Sequence, residues 1–151
     1  MSRDAARAVI VGIGQLAAGD DAIGVLVARA LAARGFETRA CADASVVLAL
    51  LEAGRRVVVV DAVVGGGPPG RVLRLDPGEL SGRPAPLSSH GIGVAEAIEL
   101  ARTLLGERIA AAVAIVGVAI DRPSRAAIEL SAAVAAALEP AAALATELAA
   151  P

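Results

Sequence analysis

A valine-rich run near the middle of the chain limits the possible folds more than any other feature. Arg56–Val64 reads RVVVVDAVV. A continuous, β-branched apolar run of this kind predicts a strand covered on both faces, which belongs in a parallel sheet between helices. Its one interruption is Asp61. Each buried valine contributes roughly 1.5–3 kcal/mol, and an ionised carboxylate midway through such a core costs several kcal/mol. The cost is avoided if Asp61 lies at the carboxyl end of the strand, as the chain leaves the sheet. A solvated strand end is the plainer alternative to a functional role.

A second stretch, Val9–Leu31, reads VIVGIGQLAAGDDAIGVLVARAL. An apolar strand over Ala8–Val11 runs into Gly12-Ile13-Gly14. A linker, Gln15–Gly19, then presents Asp20 and Asp21, and an amphipathic helix over Ala22–Arg34 follows. The expected buried stripe of that helix is Ile23, Leu26, Val27, Ala30 and Leu31. In α/β proteins such a turn lies at the carboxyl edge of the sheet, where ligands bind. Acids before a helix are also ordinary caps, so Asp21 has two readings.

The rest of the chain continues the alternation. Phe36–Ala42 predicts an edge strand and Ser45–Ala53 a short helix. Arg71–Leu75 predicts a short strand, antiparallel after the tight Gly65–Gly70 turn, in which Pro69-Gly70 suits the centre of a type II turn. Asp76–Leu87 reads as a loop. Ser88-Ser89-His90 opens a helix over Gly91–Leu105. Ile109–Ile120 contains the last central strand, ending near Gly117, and Ser124–Ala149 an alanine-rich helix interrupted at Pro140. The whole, residues 1–151, is expected to be one domain: a three-layer α/β/α sandwich on a mostly parallel, mixed five-stranded sheet.

Composition removes several functions. Phe36 is the one aromatic residue, which argues against base stacking, and the net charge of −2 comes with no basic patch. No nucleic-acid partner is expected. The basic residues are all Arg, so lysine Schiff-base chemistry is out. The lone Cys41 allows no internal disulfide and sits in an apolar setting that favours packing over reactivity. The longest apolar run, Ile109–Ile120, falls short of the ~20 residues that span a bilayer. The expectation is a cytoplasmic protein with no membrane partner.

Asp21, Asp61 and the single histidine, His90, are therefore candidates to meet in one cleft at the carboxyl edge. Two carboxylates and an imidazole suit a divalent transition metal with positions left open. Without metal, the two acids raise each other's proton affinity. His90 alone also reads as a helix-start residue beside Ser88 and Ser89.

On these residues the chain resembles the hydrogenase maturation endopeptidases. The Gly12–Gly24 stretch matches that family's glycine turn and acidic pair, and Val57–Val72 its strand ending in Asp-Ala before a Pro-Gly turn. Ser88-Ser89-His90 matches its Ser-x-His before a helix, and Val116-Gly117-Val118 its late strand. The matches come in family order and span most of the chain. The resemblance implies a three-layer sandwich that clips a C-terminal extension from the precursor of a nickel-containing hydrogenase large subunit, after nickel insertion. It places the family's metal-contacting and catalytic acids on Asp21 and Asp61 and its histidine on His90. It also implies nickel carried by the substrate. Either a carboxylate, chiefly Asp61, activates water, or the metal polarises the peptide carbonyl.

This sequence departs from the family at three places. Gln15 stands where asparagine is usual, Asp43-Ala44-Ser45 lacks the glycines of a DGGT-like cleft segment, and Ala119-Ile120-Asp121 lacks the proline often found after the late strand. The changed Cys41–Ser45 segment motivates an alternative, a relative that binds a metal centre without cutting. A second alternative is a dinucleotide-binding module, on Gly12-x-Gly14-x-x-Ala17 with Asp43 as the ribose acid. Against it, Asp20 and Asp21 stand where a pyrophosphate would meet the helix start.

Overall fold

The structure, a computed structural model, describes residues 7–77, 93–122 and 127–151. Strands β1 (Val9–Ile13), β2 (Thr38–Cys41), β3 (Val57–Val64), β4 (Val72–Leu75) and β5 (Val113–Ile120) form one sheet in the order β2-β1-β3-β5-β4. Four strands are parallel, and β4 runs antiparallel to β5 at one edge. The helices are α1 (Ile23–Ala33), α2 (Ser45–Glu52), α3 (Val94–Leu105), α4 (Ala132–Ala135) and α5 (Leu138–Ala149). The expected mixed five-stranded sandwich is what forms.

The period-2 alternation of the strands divides the core into two layers. Val9, Val11, Ile13, Val57, Val59 and Ile115 face α2 and α3, meeting Val47, Leu50, Ala97 and Ile98. Ile10, Val58, Val60, Val116 and Val118 face the other way, against Ile23, Val27 and Leu31 of α1 and the alanines of α5. The valine run of β3 is thus buried on both faces, as its composition predicts.

Small residues set the close packing on the second face. A Cβ on Gly24 would collide with the carbonyl oxygens of Ile13 and Val60, so α1 lies directly against the ends of β1 and β3. The buried face of α1 accordingly runs through Gly24, Val25 and Ala28 as well as Ile23, Val27 and Leu31, while Leu26 and Ala30 are only partly buried.

The turn into β4 also follows its sequence. Arg71 N–H donates to the Pro68 carbonyl at 3.1 Å. Gly70 takes φ +89, the left-handed value that the third position of a type II turn demands.

The last strand lies within Ile109–Ile120, as expected, but does not end near Gly117. A 3-10 turn covers Glu107–Ala112, and β5 runs from Val113 through Gly117 to Ile120, next to the edge, with β3 at the centre. Alanine has little strand preference, and pairing starts where the branched residues do. The C-terminal segment is two helices, because Pro140 has no N–H for the Ala136 carbonyl and its ring crowds that position. Ala132–Ala149 is long and apolar enough by composition to cross a membrane. It is broken at that point, and its Ala141, Ala142, Ala145 and Ala149 are packed into the core beneath it. Ser88, Ser89 and His90, with Gly91 and Ile92, lie outside the described residues, as do most of the Asp76–Leu87 loop and Ser124.

Candidate functional site

β1 ends at Ile13, and Gly14 turns the chain. Gly14 stands at φ +150, and a Cβ there would collide with the Asp21 carbonyl oxygen. Only glycine therefore lets the following segment fold back on the strand end. That segment is a 3-10 turn, Gly19–Ala22, carrying both acids. Neither acid caps α1, which starts without a side-chain cap.

The two acids part company. Asp20 reaches away from the sheet: Ser131 N–H donates to its Oδ1 at 2.7 Å and Ser131 Oγ–H to its Oδ2 at 2.9 Å. Asp21 turns toward β3. Its carboxylate accepts a hydrogen bond from the Gln15 backbone N–H, but partial burial outweighs this and holds its pKa above the usual carboxylate range.

Asp61 is not at the end of its strand, as expected, but three residues before it. The β1–β3 ladder stops at Gly12–Val60, so Asp61 is the first residue of β3 beyond β1. On the other side β3 stays paired, with Asp61 opposite Gly117. The Asp61 residue keeps partial exposure, yet its carboxyl is enclosed by protein. This burial, then the nearby Asp21 charge, raises its pKa to about 8, against the opposing hydrogen bond from Ala62 N–H. The desolvation cost of a charge inside the valine run is thus met by protonation rather than by exit from the sheet.

The structure thus brings Asp21 and Asp61 together at the carboxyl edge, from different elements. His90 lies outside the described residues. Among the described residues no three His, Cys, Asp or Glu side chains cluster as metal ligands.

Other candidates are engaged locally. Asp43 accepts from Ser45 N–H at 2.8 Å at the start of α2, and hydrogen bonding to Ser45 holds it below its ordinary pKa. Cys41 packs against the α2–α3 layer, and burial, then Asp43, pushes its thiol pKa up. A cavity of about 330 Å³ at the amino edge of the sheet, lined by Arg7, Phe36 and Glu37, lies at the opposite end from the acids. The link from Asp20 to Ser131 had no signal in the sequence, since the partners are 111 residues apart.

The sequence profile of the hydrogenase maturation proteases matches residues 40–148. The chain belongs to the hydrogenase maturation protease family. The match includes Asp61 but starts after the Asp21 loop. No curated protein matches the chain in sequence. Solved structures match across almost its whole length. The [NiFe] hydrogenase maturation protease HybD of Thermococcus kodakarensis is 23% identical, with a TM-score of 0.70 over 95% of this chain and 99% of that one. The maturation protease HycI of the same organism is 27% identical, with a TM-score of 0.67 over 95% and 90% of the two chains. The hydrogenase maturating endopeptidase HybD of E. coli is 23% identical, with a TM-score of 0.63 over 94% and 91%. This family's shared fold thus extends over the Asp21 loop, which the profile match does not reach.

Proposed function

We propose that this protease removes the C-terminal extension of a nickel-containing hydrogenase large-subunit precursor, after nickel insertion. The observation that carries the reading is the pairing of Asp21 with Asp61 at the carboxyl edge of a fold shared with the maturation proteases.

The electrostatics support recognition of nickel carried by the substrate. Asp61 holds a proton at neutral pH because it is buried beside another acid. A cation brought between Asp21 and Asp61 offsets both penalties and releases that proton. Asp61 then becomes a carboxylate, able to ligate the metal or to accept a proton from water. Without nickel, Asp61 keeps its proton in most molecules at neutral pH. His90 is the proposed third contact. Docking through the metal fixes the scissile peptide beside Asp61, which is the entropic contribution of the site.

β3 also gives an extended tail a place to lie. It runs four residues, Asp61–Val64, past its last pairing with β1, and Val64 is exposed. The engaged Asp43 and the glycine-free Ala44-Ser45 bear on which precursor is accepted. The test is incubation with nickel-loaded and nickel-free precursor. Shortening of the nickel-loaded form alone supports the reading, and no shortening of either rejects it.

A further inference from the structure

The first acid of the Asp20-Asp21 pair has a place of its own in this reading. We infer that Asp20 is a positioning residue for the cleavage, clamping the loop that carries Asp21 to the segment leading into α4. The inference rests on the peptidase reading above.

The clamp is made of several contacts. Both oxygens of Asp20 are occupied by Ser131, one by its N–H and one by its hydroxyl. One residue earlier, Gly19 N–H donates to the Ile128 carbonyl at 3.3 Å. A Cβ on Gly19 would press on Ala127, so the loop lies flat on that segment. Ser131 also accepts from Val134 N–H, and Val134 is buried in the layer of α1 and α5. The anchor is therefore fixed to the core.

The same anchor holds the exit from the Asp61 strand. A Cβ on Gly70, in the turn after β3, would collide with the Ala133 carbonyl oxygen. Residues 127–133 thus touch both loops that frame the acids. The loop needs an external hold, since Ala17 stands at φ 60, a conformation that costs a non-glycine residue roughly 1–2 kcal/mol. Without the clamp that loop relaxes, and Asp21 with it. A misplacement of about 1 Å at a reacting site can cost on the order of 100-fold in rate.

Hydrogen exchange in the free protein, joined to cleavage kinetics, tests this. In Asp20→Ala the Gln15 amide, which donates to Asp21, is expected to exchange about 10-fold faster, while Val58–Val60 stay protected. On nickel-loaded precursor its kcat is expected to fall at least about 10-fold with KM little changed. Asp20→Asn, whose Oδ1 still accepts from Ser131 N–H while its Nδ2 donates to Ser131 Oγ, recovers most of both properties. Should Asp20→Ala not fold, Ser131→Ala is expected to give smaller changes of the same sign. Unchanged Gln15 exchange, with lost protection confined to Val134, makes Asp20 a cap of α4 and overturns the inference. Wild-type protein that leaves the precursor uncut refutes the peptidase reading instead, because the exchange result does not involve substrate.

Discussion

Asp21 and Asp61 come from different elements, and the charge of Asp21 adds to burial in holding the Asp61 proton. The relationship depends on β1 being short. Had β1 continued beside β3, Asp61 would be covered by a neighbouring strand and out of reach of the Asp21 loop.

Asp61 is expected to make the fold less stable as pH rises. Its folded pKa, about 8, lies above its unfolded value, so the folded state binds the extra proton. The stabilisation is full below about pH 4 and is lost progressively up to about pH 8. Thermal melts of wild type and Asp61→Asn check this. The variant should lack this contribution and gain several degrees over wild type at pH 9.

Asp21→Asn removes the nearby charge and should lower the Asp61 pKa. The fall in stability still starts near the unfolded value but ends at a lower pH and is smaller. NMR titration of the Asp61 carboxyl carbon reads it directly. An unmoved midpoint means that burial alone sets the value.

Gly24→Ala should destabilise the protein by about 3 kcal/mol or more, because the added methyl meets backbone carbonyls of two strands rather than yielding side chains. Denaturant unfolding measures it. Gly35→Ala is the control for crowding, since nothing lies within 4 Å of a Cβ there; its cost should come from its φ of +91 alone.

Much of this was legible in the chain itself. The valine run of β3, the glycine turn after β1 and the Pro69-Gly70 turn each dictate local structure through near neighbours, and the sheet follows from them. The site was legible as residue types at one sheet edge. What could not be read depends on distant partners. The strand over Arg56–Val64 follows from composition, but the burial of the Asp61 carboxyl inside it depends on pairing with β5, and the carboxyl answers by keeping its proton. Asp20 looks like half of an acidic pair until Ser131 arrives from the far end of the chain.

His90→Ala should abolish processing while leaving the melting temperature within a few degrees of wild type, read by circular dichroism beside the cleavage assay. Normal cleavage by this variant removes His90 from the proposed site.

The most direct measurement is the intact mass of a nickel-loaded large-subunit precursor after incubation with wild type or with Asp61→Ala. Wild type is expected to remove a C-terminal peptide and Asp61→Ala to leave the mass unchanged. Equal shortening by both proteins, or none by wild type, contradicts the role given to Asp61.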